Sequence, residues 1–335
     1  MTFPPQRFAT QLLTGTPAGS AVAVAARLLA IQAQDPRGAR LAIRARSSGL
    51  TAADVDRALT DRSLVVSWLN RGTLHLVRSE DYWWLHQLTA PTVVTANNRR
   101  LQQEGLTSEA ADRGVAVIVD ELSAHGPRVR GQLRESVARA GVRVAGQALV
   151  HLLLRASLDG LVVRGPMVGA EQAFVLVGDW LGPAPPLLDR DTALAELARR
   201  YLDGHGPAEP ADLAKWSGLS LGEARRGFGA LRAEPTQAGR HEDGGHVIPS
   251  PRLLGAFDPL LLGWASRAPV LGDHAPTLVT SNGVFRPFAL VAGRAEATWR
   301  WVRGTVQLTP FAPLADEVAE ALALDAQDVA RFLNS

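Results

Sequence analysis

The amino-acid sequence predicts a helix-rich α+β protein that contains three tandem winged-helix units. Three observations predict this fold: long stretches with helical periodicity, pairs of short β-rich runs that follow groups of helices, and a His-Gly-Pro triplet that recurs 80 positions later. The chain has 335 residues, of which 46% are hydrophobic and 20% are charged. It is therefore globular and long enough for two or three domains.

The first winged helix is predicted over residues 1–78. Its first helix ends at Asp35-Pro36, because the residue before a proline avoids the α conformation. Asn70-Arg71-Gly72 is a turn signal between two β-rich runs and predicts a hairpin as the wing. We expect helices over 20–34, 38–46 and 51–60, and wing strands over 64–69 and 73–77.

The same order of elements recurs along the rest of the chain. His205-Gly206-Pro207 repeats His125-Gly126-Pro127, and the stretch 208–233 has the pattern of a helix-turn-helix. The predicted segments are a helical connector over 79–124, a second winged helix over 125–189, a third over 190–250, and a C-terminal β-hairpin segment with a terminal helix over 251–335.

Composition excludes several kinds of chemistry. The sequence has no cysteine, so disulfides, thiolate zinc sites and cysteine nucleophiles are ruled out. No glycine-rich phosphate loop, serine elbow or dinucleotide fingerprint is present, and the loop 241–246 lacks the spacing of metal ligands. We expect no cofactor and no metal. No apolar run reaches the roughly 20 residues that span a bilayer, so we expect a cytoplasmic protein with no membrane partner.

Nearly all the cations are arginines, since Lys215 is the only lysine. Arginine suits phosphate and guanine edges better than lysine does. A GC-rich genome would encode the same bias without any functional demand, so the composition alone leaves both explanations open.

Four segments together resemble the AlkZ-like family of bacterial winged-helix DNA glycosylases, which includes azinomycin-resistance glycosylases and is related to YcaQ-like proteins. They are LLAIQAQDP (28–36), SWLNRGTLHLV (67–77), GAFDPLLLGWASRAPVL (255–271) and GVFRPFALVAGRAEATWR (283–300). The resemblance spans nearly the whole chain. It implies a C-shaped platform of three winged helices that excises bulky alkylated purines, including interstrand crosslinks, from double-stranded DNA.

The family's catalytic motif is a glutamine, an apolar residue and a second glutamine. Here it falls on Gln32-Ala33-Gln34, so the resemblance places catalytic roles on Gln32 and Gln34. The YcaQ-like branch has an aspartate at the second polar position, whereas Asp35 comes one residue later here, which favours the Gln/Gln branch. Residues two apart in a helix face about 200° from each other, so joint action of the two amides requires the helix to unwind near Gln34.

Three other residues lie in these segments, and two of them have two interpretations each. Asp35 either assists the reaction as a base or caps the helix that starts at Pro36. Arg71, in the predicted wing turn, either contacts a phosphate or is plain surface. His75 is interpreted as a structural scaffold residue in a strand.

The C-terminal half supplies further candidates. Arg286 lies inside an apolar run, where an unpaired charge is costly, so we expect it to pair with Asp258 as scaffold of the site. For DNA binding we expect Arg294 at the tip of a hairpin at Ala292-Gly293-Arg294, with Arg300 and Arg303 following it. The helix-turn-helix of the third unit is expected to contribute Arg225 and Arg226.

The leading hypothesis is a monofunctional DNA glycosylase that acts on purines alkylated at N7 or N3. The alternative is a non-catalytic winged-helix DNA-binding protein, either a transcription factor or a damage sensor, because winged helices more often read DNA than cleave it. A protein-interaction scaffold is a third hypothesis. We expect a monomer, since a C-shaped repeat needs no partner to bury its faces.

Overall fold

The computed structural model describes residues 3–233 and 247–334 and confirms a helix-rich α+β fold with small antiparallel sheets. Contacts divide the chain into two compact units. The first combines the described residues up to Val55 with those from Asp191 onward, and the second runs from Asp56 to Arg190. The division into three winged helices stays a prediction.

The N-terminal part of the first unit is mostly helical. Ser20 caps its second helix by accepting a hydrogen bond from the Ala23 N–H, as an N-cap serine commonly does. The elements are α1 (Pro5–Thr10), α2 (Ala21–Leu28), β1 (Ile31–Gln32), α3 (Pro36–Arg44) and α4 (Ala52–Thr60), the last of which crosses into the second unit.

The second unit packs helices on an antiparallel sheet in the order β3-β2-β4-β5. The predicted hairpin around Asn70-Arg71-Gly72 is confirmed, and its strand β2 also pairs with β4, so the hairpins assigned to two different winged helices share one sheet. The elements are β2 (Leu64–Trp68), β3 (Leu74–Arg78), α5 (Ser79–Thr89), α6 (Pro91–Gln103), α7 (Ser108–His125), α8 (Arg130–Arg139), α9 (Ala148–Leu158), β4 (Val162–Val168), β5 (Glu171–Leu176) and α10 (Val177–Leu181).

The C-terminal part of the first unit combines helices with a second antiparallel sheet in the order β6-β7-β8-β9. The predicted hairpin turn at Ala292-Gly293 is confirmed. The elements are α11 (Arg190–His205), α12 (Pro210–Ser217), α13 (Leu221–Ala233), β6 (Arg252–Leu254), α14 (Pro259–Leu262), α15 (Ala268–Leu271), α16 (Ala275–Leu278), β7 (Phe288–Val291), β8 (Arg294–Val302), β9 (Thr305–Pro310) and α17 (Asp316–Asn334).

The helix predicted over 20–34 is wrong in its C-terminal part, because α2 ends at Leu28. Leu29 adopts φ 63° and ψ −50°, and the Ala30 N–H donates to the Leu28 carbonyl at 2.7 Å. This geometry is a γ-turn with positive φ, which is rare for a residue with a side chain. Leu29 is fully buried, so tertiary packing overrides the helical propensity of the sequence that follows.

Two glycines let α3 approach the chain before α14 backbone to backbone. A Cβ at Gly38 would collide with the carbonyl oxygen of Ala256, and a Cβ at Gly255 would lie 3.0 Å from the Gly38 carbonyl oxygen. A larger residue at either position would push the two segments apart. The start of α3, which directly follows the Gln-x-Gln segment, is therefore fixed against the C-terminal part of its unit.

Candidate active site

The Gln-x-Gln segment lies in non-helical chain between the Leu29 turn and α3. Gln32 is the last residue of β1 and is 7% exposed to solvent, whereas Gln34 is exposed. Gln34 lies in a bend between the end of β1 and the start of α3. The condition for joint action of the two carboxamides, that Gln34 lies outside regular helix, is met.

The turn at Leu29 sets the direction in which the chain enters this segment. A γ-turn with positive φ costs on the order of 1–3 kcal/mol and persists only where the surroundings impose it. The complete burial of Leu29 provides that constraint. Backbone strain of this kind is concentrated at functional sites, and here it comes three residues before Gln32.

Asp35 caps α3. Its carboxylate Oδ1 accepts hydrogen bonds from the Arg37 N–H at 2.9 Å and from the Gly38 N–H at 3.2 Å, and Pro36 occupies the first helical position. The interpretation of Asp35 as a helix cap is confirmed. Its role as an assisting base stays a prediction.

The predicted pair between Asp258 and Arg286 is wrong, because Asp258 pairs with Arg46. The Arg46 guanidinium donates to both carboxylate oxygens, with Nη1 to Oδ2 at 2.9 Å and Nη2 to Oδ1 at 2.8 Å, and both side chains are fully buried. Arg46 Nη2 also donates to Gln11 Oε1 at 2.9 Å, and the Leu260 N–H donates to Asp258 Oδ1 at 2.9 Å. Asp258 thus has a different partner from the expected one, and its role as scaffold of the site stays a prediction.

Arg286 is exposed and lies outside the sheet. Its N–H donates to the Leu278 carbonyl at 2.9 Å, and β7 begins only at Phe288. Pro287 has no N–H to donate to a neighbouring strand, which explains why the strand starts after it. Water solvates the Arg286 charge, so this arginine needs no buried counterion.

Sequence reasoning missed the arginines that hold α3 in place. Arg46 bonds to a carboxylate 212 residues away, and Arg44 bonds to Asp325 at 2.9 Å and to Asp328 at 3.0 Å, both on α17. The two arginines stand two apart at the end of an amphipathic helix, which suggests burial of at least one. Nothing local identifies their acidic partners.

His75 lies in β3 of the second unit and is 2% exposed. Its Nδ1 lies 2.9 Å from the Thr73 carbonyl oxygen. Burial, helped by the nearby charge of Arg71, lowers the pKa of His75 to about 3, so the ring is neutral at physiological pH. This environment agrees with the structural interpretation of His75.

Three of the arginines that are predicted to contact DNA lie on the surface of their own units. Arg71 is partly exposed and has a φ of 57° in the turn between β2 and β3. Arg225 and Arg226 are both exposed on α13. Arg226 Nη1 lies 3.2 Å from Asp191 Oδ1 in a pair whose side chains are 53% and 71% exposed, and such pairs stabilise little. The DNA-binding roles of these arginines stay predictions.

The arginines predicted at and after the hairpin tip are spread along β8 and the turn that follows it. Arg294 begins β8 directly after the turn at Ala292-Gly293, and Arg303 forms the next turn with Gly304, where both residues have positive φ. The two arginines are nine positions apart on a strand, which corresponds to about 30 Å. Arg300 is exposed between them. The DNA-binding roles of these three arginines stay predictions.

The described residues contain no group of three or more histidines and carboxylates that could hold a metal ion. The loop 241–246, considered above for metal binding, lies outside the residues that the structure describes. Within the described ranges, no helix is both long and apolar enough to cross a membrane.

Comparison with known proteins decides the family. A family model described as "DNA glycosylase AlkZ-like" matches residues 25–332, which include both glutamines. The chain belongs to the AlkZ-like DNA glycosylase family. AlkZ-like membership makes the protein an enzyme that hydrolyses N-glycosyl bonds in DNA, and it rules against the non-catalytic and scaffold hypotheses.

Two comparisons with proteins of Streptomyces sahachiroi agree with the AlkZ-like assignment. The chain is 28% identical to an interstrand DNA cross-link repair glycosylase over 362 aligned positions, which cover 97% of this chain and 94% of that protein. Its fold matches the solved structure of the DNA glycosylase AlkZ with a TM-score of 0.78 and 25% identity, over 99% of this chain and 97% of the other.

We expect the loss of either partner of the Arg46–Asp258 pair to destabilise the protein strongly, because the other charge then stays buried and unpaired. In Asp258→Leu the Arg46 guanidinium stays buried without its counterion, which should lower the free energy of unfolding by about 3–5 kcal/mol in urea. Replacing both partners, as Arg46→Met with Asp258→Leu, should cost less than either single change.

The matched control for the buried pair is Arg226→Gln, which breaks an exposed pair of the same unit. It should change the free energy of unfolding by less than about 0.5 kcal/mol. An Asp258→Leu protein as stable as the wild type would contradict the role given to the buried pair.

The buried His205 predicts a loss of stability in acid. It is fully buried, and burial lowers its pKa from 6.5 to about 3. Protons then bind preferentially to the unfolded chain, so stability falls as the pH drops from 6.5 towards 3, by roughly 4 kcal/mol for this one group. His205→Phe should flatten this part of the pH profile of unfolding.

His125, whose side chain is 52% exposed, provides the control for the acid profile. His125→Gln should leave the slope of stability against pH as in the wild type. If His205→Phe kept the full wild-type slope between pH 6.5 and 4, the buried neutral His205 would be ruled out as its source.

Proposed function

We propose that this DNA glycosylase repairs bulky purines alkylated at N7 or N3, interstrand crosslinks among them, and that Gln32 and Gln34 carry the reaction. The observation that carries the proposal is the non-helical Gln-x-Gln segment, with one amide at 7% exposure and the next at the surface. The name of the Streptomyces relative, an interstrand DNA cross-link repair glycosylase, supports the crosslink part.

The chemistry suits two neutral amides. A purine alkylated at N7 carries positive charge, so it leaves readily and takes the electron pair of the C1′–N9 bond, which neutralises its ring. A carboxamide cannot act as a general base, but its oxygen accepts hydrogen bonds and its NH₂ group donates them. The two amides together hold a water below C1′, and their oxygens stabilise the positive charge that develops on the sugar.

The water then bonds to C1′ and releases its proton. Asp35, the residue after Gln34, assists in this proposal as the nearest carboxylate that can receive that proton. Its two hydrogen bonds to the start of α3 fix its position. The products are the free alkylated purine and an abasic site, so the enzyme is monofunctional and needs neither cofactor nor metal.

The substrate in this proposal is duplex DNA, and the enzyme acts as a monomer. Phosphate contacts position a protein on DNA without reading its sequence, which is what a lesion-directed enzyme requires. We assign such contacts to exposed or partly exposed arginines of both units, namely Arg71, Arg225, Arg226, Arg294, Arg300 and Arg303.

The test uses a duplex with a single N7-methylguanine, a duplex with a bulky N7 adduct and a duplex with a nitrogen-mustard crosslink. Treatment with alkali after incubation reveals abasic sites as strand breaks. We expect breaks with the wild type, and a fall of about 10²–10³-fold in the single-turnover rate for Gln32→Ala or Gln34→Ala.

The control is Gln327→Ala, which removes an exposed carboxamide from α17 and should keep the wild-type rate. A wild type that binds all three duplexes but releases no base would refute the proposed substrates. Release of base from the two monoadducts but not from the crosslink would remove the crosslink from the proposal.

A further inference from the structure

The arginine side chains of α3 and of the turn after it differ in the contacts that they make. Arg40 folds back so that its Nη1 donates to the Pro36 carbonyl at 2.9 Å. Arg44 is bound to two carboxylates of α17, and Arg46 is bound to Asp258 in the core. Each of these three guanidinium groups therefore forms a hydrogen bond or an ion pair within the protein.

Arg37 differs from them. It is exposed, and the side chain has no hydrogen bond or ion pair with any residue that the structure describes. It also stands in the first turn of α3, which contains no acidic side chain. A positive charge at that end opposes the helix dipole. None of these polar contacts therefore stabilises the fold through Arg37, and a residue that breaks a local rule without such a contact points to function.

The position of Arg37 relative to the reacting amides is fixed by the backbone. It follows Gln34 by three residues, and its own N–H is held by the Asp35 carboxylate at 2.9 Å. The backbone contact between Gly38 and Ala256 fixes the next residue against the C-terminal part of the unit. The Arg37 side chain therefore projects from a rigid site beside the Gln-x-Gln segment.

The positive charge of Arg37 would favour the approach of a DNA phosphate to this edge of the site. The Asp35 carboxylate already occupies the N–H groups at the start of α3, and its negative charge would repel a DNA phosphate at this edge. A neighbouring guanidinium offsets that repulsion. Its planar fork also matches two oxygens of one phosphate.

We propose that Arg37 contacts a DNA backbone phosphate beside the lesion and holds the damaged strand against the Gln-x-Gln segment. This inference rests on the proposed function for the site that it serves. The contact adds affinity and register rather than chemistry, because phosphate contacts position the protein on the duplex.

The test is single-turnover base release from a duplex with one N7-methylguanine, measured against enzyme concentration at several salt concentrations. For Arg37→Gln we expect the half-saturating concentration to rise about tenfold, and the salt slope to fall by ~0.9, the value for one phosphate. The maximal rate should change less than about threefold, unlike the loss expected for Gln34→Ala.

Two variants serve as controls. Arg37→Lys keeps the charge, so it should keep the wild-type salt slope and lose less affinity than Arg37→Gln. Arg113→Gln removes another exposed arginine, on α7, and should behave as the wild type. The unfolding temperature of Arg37→Gln should stay at the wild-type value or rise, because removing this charge relieves the unfavourable interaction with the helix dipole.

An Arg37→Gln enzyme with the half-saturating concentration and the salt slope of the wild type would overturn the inference. So would a loss confined to the maximal rate. A wild type that releases no base would instead refute the proposed function. In that case fluorescence anisotropy with the same duplex measures the salt slope of binding, and an unchanged slope in Arg37→Gln would overturn the phosphate contact by itself.

Discussion

A buried ion pair between Arg46 and Asp258 joins the two parts of the chain that make up the first unit. Burial of both charges is expensive, and it is compensated only by good geometry and by partners for the remaining polar atoms. Here the bidentate geometry, Gln11, the Ala42 carbonyl and the Leu260 N–H supply most of these partners, and Arg46 Nε alone in the pair is buried without one among the described residues. The pair anchors the end of α3 next to the start of α14, while Gly38 and Ala256 hold the other end of α3 in backbone contact.

The candidate catalytic segment depends on that anchored helix. The segment is bounded by the strained turn at Leu29 on one side and by the Asp35 cap of α3 on the other. Only residues 30–34 lie between these two points, which limits the positions open to Gln32 at the end of β1 and to Gln34 in the bend after it. Neutral amides are weak catalysts, and a fixed position is what makes them useful to a substrate that is already activated by its own charge.

Features that depend on local sequence were predictable. Proline at 36 set the start of α3, and Asn70-Arg71-Gly72 set the hairpin of the second unit. Features that depend on distant residues were not. The end of α2 follows from the burial of Leu29, and the partner of Asp258 lies 212 residues away. The glutamines themselves carry no local signal of catalysis, and the family resemblance alone singled them out.

In the proposed reaction, the carboxamides of Gln32 and Gln34 together hold the attacking water. The most direct measurement is a structure of the enzyme bound to duplex DNA in which the damaged nucleotide is replaced by a cationic pyrrolidine analogue of the reacting sugar. We expect one water next to the position of C1′, within about 3 Å of the side-chain amides of both Gln32 and Gln34. Amides turned away from the sugar, or a water held there by other residues, would contradict it.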